Sequence, residues 1–296
     1  MKGKQIPSDD ILRQLVAARR EEIVRVRDVR AEQLKDLETR GQAQLAALRK
    51  TLPKDMTAVL NKLDKAAKES SASKTRGKIK HGSSVAAGGR VHPQRPGFAG
   101  NKLVVAADCL GGWYLPDYTI LYNADGSIFE QSQIPFNVDM GFSAGGGSLG
   151  LFGTGAGEGT VVMDWWFHYT VPSDGSYNHR ISLPFYGTYT LYADDGFWTS
   201  KEAHASINLS AQGWQFNFRD TATSNVMDVD SQNINDKGVF LPISHTMSYT
   251  DMLVAGEAFL RVSVAYYLYA RGSDSYAEFN LVNPDIFVYE PWLYVE

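Results

Sequence analysis

The sequence predicts a mainly β protein with an α-helical N-terminus: an antiparallel β-sandwich, jelly-roll-like, preceded by coiled-coil helices. Three observations predict it. All 35 aromatic residues of the 296-residue chain lie at or after Phe98. Charge divides near the same place: 21 Lys/Arg stand against 11 Asp/Glu up to Arg90, and 8 against 22 from Val91 on, a balance of +10 followed by −14. Apolar periodicity changes as well, from helical spacing to strict alternation. A chain this asymmetric is built of pieces with separate jobs. The boundaries read as a helical oligomerisation or docking region over 1–69, a basic linker over 70–100 and an aromatic-rich sandwich over 101–296.

The first helix opens at Ser8-Asp9-Asp10, a capping residue followed by negative charge that suits a helix start. Its apolar residues then pair three apart: Leu12 with Leu15, Ile23 with Val26, Leu34 with Leu37, Leu45 with Leu48. The pairs recur every 11 residues, the period of a nearly straight or slightly right-handed coiled coil. The stripe is narrow and flanked by charge, so one such helix buries too little alone. These eight residues are therefore the expected oligomerisation seam, with an intrachain αα-hairpin as the alternative. Pro53 removes a backbone donor and is expected to end or kink the helix, and Met56, Val59, Leu60 and Leu63 make a second, shorter stripe.

From Ser70 to Gly100 the periodicity vanishes into Ser, Gly, Lys and Arg, the composition of a flexible tether. Its charge would suit a polyanion, but the absence of any aromatic residue before Phe98 argues against nucleic acid.

Alternation is clearest in 257–271, where Ala258, Leu260, Val262, Val264, Tyr266, Leu268 and Ala270 occupy every second position. Ala205, Ile207, Leu209 and Ala211 repeat the pattern, as do Trp214, Phe216 and Phe218. Such strands have one buried and one wetter face. Turn signals separate them at Asp125-Gly126, Pro172–Gly175, Asp194–Gly196 and Gly272–Asp274. Eight to ten strands fit between Leu103 and Val295, and most aromatics then belong to a core. Trp165-Trp166 cannot both be there, because neighbouring strand residues point to opposite faces.

The nine glycines of 141–159 run straight into a strand instead of opening a helix, so they read as a loop, not a nucleotide fingerprint. The six histidines form no H-x-H or H-E-x-x-H, and no G-x-S-x-G is present. Cys109, alone, makes no intramolecular disulfide and stands in an apolar context. The chain thus reads as non-enzymatic, with a toxin or hydrolase on a sandwich scaffold as a remaining alternative. No cofactor is expected except calcium, for which Asp228, Asp230, Asn233, Asn235 and Asp236 offer closely spaced hard oxygens in what reads as a loop. For a ligand, Tyr192, Asp194, Asp195 and Trp198 combine aromatic faces with carboxylates at a turn, with Asn178 and His179 expected from a neighbouring strand end.

No apolar run is long enough to span a membrane and no secretory signal opens the chain, which implies a soluble protein made in the cytoplasm and released, if at all, within an extracellular or virion-like assembly. The helices are expected to oligomerise or to dock onto an assembly and display the sandwich as a head to a surface glycan or protein receptor, a structural or adhesive role. An aromatic-rich β-head on a helical stalk resembles, in general organisation only, phage receptor-binding fibres and trimeric jelly-roll heads. The alternative is a monomeric carbohydrate-binding module attached to a larger assembly. Low-dose trypsin is expected to cut first after Lys74, Arg76, Lys78 or Lys80, identified by sequencing the fragments. First cuts inside 103–295 would displace the boundary.

Overall fold

The computed structural model describes residues 9–71, 80–81, 112–114, 116–132, 140–148, 154–193, 201–215, 218–231, 234–272, 275–280 and 292–295. Two helices, α1 (Asp9–Thr51) and α2 (Lys54–Ser71), precede the strands. In order these are β1 (Lys80–His81), β2 (Gly112–Tyr114), β3 (Tyr118–Asn123), β4 (Ile128–Ser132), β5 (Met140–Gly145), β6 (Gly147–Ser148) and β7 (Thr154–Val171). They continue with β8 (Gly175–Ala193), β9 (Glu202–Gln215), β10 (Phe218–Ser231), β11 (Ile234–Leu253), β12 (Gly256–Arg271), β13 (Tyr276–Asn280) and β14 (Trp292–Val295). Between Gly112 and Val295 the described residues thus hold thirteen strands, more than the sequence suggests, because short rim strands carry little periodicity of their own.

Every pairing is antiparallel. One sheet follows the order β1-β5-β13-β8-β14-β2, with β11 pairing β8 from Gly175 to Ala193. Since β11 occupies one edge of β8 throughout, β13 and β14 succeed one another along the opposite edge. The other sheet runs β10-β9-β12-β7-β3-β4. In chain order the sheet changes after β2, β4, β5, β7, β8, β10, β11 and β12, which ties the two layers into a sandwich.

The core lies where the alternation places it. Ala258, Leu260, Val262, Val264, Leu268 and Ala270 of β12 join Ala205, Ile207, Leu209 and Ala211 of β9, and Trp165, Phe167, Leu183 and Phe279 fill the space between the sheets. Trp165 is fully buried there, while Trp166 faces the other way. Trp214 also faces outward, since its even number puts it on the opposite side of β9 from Ala205–Ala211.

Where it is described, the glycine-rich stretch is largely strand instead of loop: β5 and β6 lie in it, and β7 begins within it at Thr154. Its glycines permit backbones to meet. A Cβ on Gly157 would run into the Gly145 carbonyl, and one on Gly146 into the Ser275 hydroxyl and the Gly272 carbonyl.

Helix α1 spans 43 residues, about 65 Å at about 1.5 Å per residue. It stops at Thr51, and α2 restarts beyond Pro53, whose carbonyl accepts the Thr57 N–H at 2.9 Å. The first half of α1 is not held off the sandwich by a tether. It lies across the outer face of the second sheet, where Leu12 and Ile23 pack with Ile120, Tyr122, Val162, Trp166 and Trp214. Trp166 and Trp214 stack with centroids 5.3 Å apart. Among these apolar groups Arg19 Nε meets Asp164 Oδ2 at 3.1 Å, and Arg19 Nη2 donates to Ser263 Oγ at 2.7 Å. Arg20 Nε donates to the carbonyl of Gly126, which sits at φ 75° in the β3–β4 turn. A Cβ at Gly126 would press on Arg20 and Val24 of the helix at 3.0 Å, so glycine lets the turn touch α1.

Asp164 is fully buried and Arg19 nearly so. Removing one member of a buried pair strands the other charge, at a cost of about 3–5 kcal/mol, whereas removing both costs far less. Urea unfolding of Asp164→Ala is expected to show a loss of that size, and Arg19→Met/Asp164→Leu a smaller one. A loss below ~1 kcal/mol for Asp164→Ala would show that the pair does not hold the helix.

Candidate functional site

An 11-residue step returns a helix position to nearly the same face. The eight stripe residues therefore form two rows, 12-23-34-45 and 15-26-37-48. The structure gives the rows different surroundings. In the first, Leu12 and Ile23 are buried against the chain's own sheet and Leu34 is half-buried. In the second, Leu15 is half-buried, but Val26 is 45% exposed, Leu37 40% and Leu48 36%. The side chain of Leu45 lies outside the described residues. Leu12 and Ile23 are thus not seam residues between copies: an apolar outer sheet face takes them first. Val29, Met56 and Val59 add further exposed apolar surface along α1 and α2.

The docked half carries charges that reinforce its placement. Glu22 accepts from Arg19 Nη1 at 2.8 Å and from Arg261 Nη1 at 3.3 Å, and the Arg261 guanidinium lies 5.4 Å from the Trp214 ring centre. Burial works against the charge on Arg19, but Asp164 and Glu22 outweigh it and hold the guanidinium above its ordinary range. Burial opposes ionised Glu22 as well, yet Arg19 and Arg261 pull its carboxyl below the usual value. Arg261 goes the other way: burial and neighbouring Arg19 lower it despite Asp164 and Glu22. Further along, Arg30 stands 4.0 Å over the Tyr267 ring and donates to Thr160 Oγ1 at 3.3 Å. Sequence reasoning missed Arg19 and Asp164, although each carried a signal. Arg19 sits in line with Leu12, Val16 and Ile23 on an otherwise apolar stripe, and Asp164 stands between outward-facing Val162 and Trp166.

The outer face of the first sheet differs in character. On β8 the odd positions Tyr177, His179, Ile181, Leu183, Leu191 and Ala193 are buried, so the even ones face outward. Tyr192 is 37% exposed there. It pairs in register with Tyr276 of β13, and Thr190 pairs with Glu278, which in turn pairs with Ser143 of β5. Burial first, and then neighbouring Glu278, push the Tyr276 phenol up to about 12.

Of the other expected ligand residues, the two that are described, Asn178 and His179, are not gathered around Tyr192. Asp194, Asp195 and Trp198 lie outside the described residues. Asn178 is on the same strand as Tyr192 but about 45 Å away at about 3.3 Å per residue. His179 is fully buried, with Nε2 2.6 Å from the Tyr169 hydroxyl and Nδ1 3.7 Å from Asp251, a polar link between the sheets. A ligand from solvent could meet it only if the sandwich opened.

The calcium candidates do not share one loop. Asp228 and Asp230 are in β10 of one sheet, Asn235 and Asp236 open β11 of the other, and Asn233 lies outside the described residues. Asp228 Oδ1 is 2.7 Å from His204 Nε2, and its other oxygen accepts from Asn225 at 3.4 Å. Among the described residues no three His, Cys, Asp or Glu side chains are grouped closely enough to hold a metal ion. Nor is any described helix long and apolar enough to cross a membrane.

No protein-family model matches the chain, and no curated protein matches it. Among solved structures it is similar to a carbohydrate-binding module, TmCBM61 in complex with β-1,4-galactotriose, at 9% identity and a TM-score of 0.21, covering 62% of this chain and 88% of that one. An isomalto-dextranase of Arthrobacter globiformis T6 complexed with panose matches at 12% identity and a TM-score of 0.16, over 60% of this chain and 30% of that one. A CBM4 structure matches at 10% identity and 0.17, over 62% and 90%.

Proposed function

We propose that this protein is a non-catalytic display module. Helix α1 clamps its own sandwich with its first half, self-associates through its second row of apolar residues, and so presents several heads together to a receptor. The observation that carries this reading is the division of one 11-residue repeat into a row whose described members are buried or half-buried and a row that is exposed from Val26 onward. A helix that only covered its own sheet would need a single apolar row, yet Val26, Leu37 and Leu48 repeat the same period facing solvent. Association of these rows between copies would bury what one chain leaves open, and linked heads would gain avidity without any new contact at each head. The reach of each head is then set by the docked helix and not by the basic segment.

Light scattering on the full chain tests this. The wild type is expected to run as an oligomer. Leu37→Asp/Leu48→Asp, which places charges in the association seam, is expected to reduce it to monomer with unchanged near-ultraviolet circular dichroism, because the Arg19–Asp164 docking is untouched. A monomeric wild type, or an unchanged mass in the variant, would refute self-association.

A further inference from the structure

We infer that the outer face of the first sheet, at the end of β8 marked by Tyr192, is a binding platform for a neutral oligosaccharide. The inference takes the head as the recognising unit of the display module, but it does not need the oligomer. Side chains paired directly across antiparallel strands share a face, with Cβ atoms about 5 Å apart. Tyr192 and Tyr276 therefore stand side by side, and Thr190 and Glu278 form the next row about 7 Å along the strands. Beyond Tyr276 the first row, among the described residues, ends on Gly145, which carries no side chain.

Two features make this more than an exposed tyrosine. Strand β13 is paired on both edges, to β5 and to β8, so the second phenol and the carboxylate stand on a fixed backbone before a ligand arrives. Tyr192, more than a third exposed, presents its ring on a strand instead of a loop tip, where the backbone ladders on both sides fix its position. A pyranose suits this pair of elements: its C–H face lies on an aromatic ring, and its hydroxyl edge donates to a carboxylate. The charge of the chain selects among sugars. Residues 91–296 carry a net −14, and the group at the shelf is itself an anion, so sulfated or phosphorylated chains are repelled.

The test is saturation-transfer NMR and titration of the full chain with a set of neutral hexose and hexosamine trisaccharides at millimolar concentration. The wild type is expected to bind at least one. Tyr192→Ala is expected to weaken it about tenfold, the order of one aromatic stack. Glu278→Gln should also cost about tenfold through loss of a charge-assisted acceptor. Arg180→Ala, on the same face at the far end of β8, should leave affinity unchanged. Thermal unfolding of each variant keeps loss of fold apart from loss of binding. No binding by the wild type, or equal binding by Tyr192→Ala, overturns the inference. Leu37→Asp/Leu48→Asp should keep the single-site affinity, so failure of the assembly reading and failure of the platform are told apart.

Discussion

The arrangement of the molecule depends on one buried ion pair. Arg19 and Asp164 sit between α1 and the outer face of the second sheet, surrounded by Leu12, Ile23, Val162 and Trp166. Apolar contact alone would let a helix slide by a turn along a flat sheet. A buried cation that must meet a buried anion does not tolerate the shift, because each charge taken from water needs the other. Ser263 and Glu22 satisfy further guanidinium nitrogens, and the Arg20 contact with the glycine turn holds the same segment a second time. The apolar residues supply most of the attraction, and the charges fix which residue lies where.

The sandwich uses polar links in the same way. Tyr169, His179 and Asp251 join β7 to β8 and β11 inside the core, and Ser224 meets His245 at 2.7 Å between β10 and β11 near the open side. These groups bridge the two sheets, so they set how the layers face one another while the aromatic and branched side chains fill the gap.

Much of this was readable in the residues. Period-two alternation identifies the inward positions of β9 and β12 with no knowledge of their partners, because a strand's two faces are a local property. The 11-residue repeat likewise marks both rows of α1. What covers a row is not local. Nothing in the helix says that Leu12 and Ile23 meet a sheet while Leu37 and Leu48 do not, although a lone arginine on the stripe points to an acidic partner. Tyr192 stands out by its neighbours in sequence, but Tyr276 and Glu278 reach it only through the register of β8 against β13, which neither strand encodes alone. His179 misleads for a related reason: beside a turn it looks accessible, and its odd position on β8 turns it inward.

The unbroken run of α1 from Leu12 to Thr51 has a mechanical consequence. The helix runs on from its docked half with no break before Pro53, so a head would have little angular freedom relative to a seam built on Leu37 and Leu48. Copies bundled through that seam would hold their recognition faces at fixed separations and tilts. Multivalent attachment by such an object depends on whether target spacing matches its geometry, because rigid arms either engage together or strain. A surface of regularly spaced ligands would be favoured over a dense, irregular one, even where each head binds both equally well.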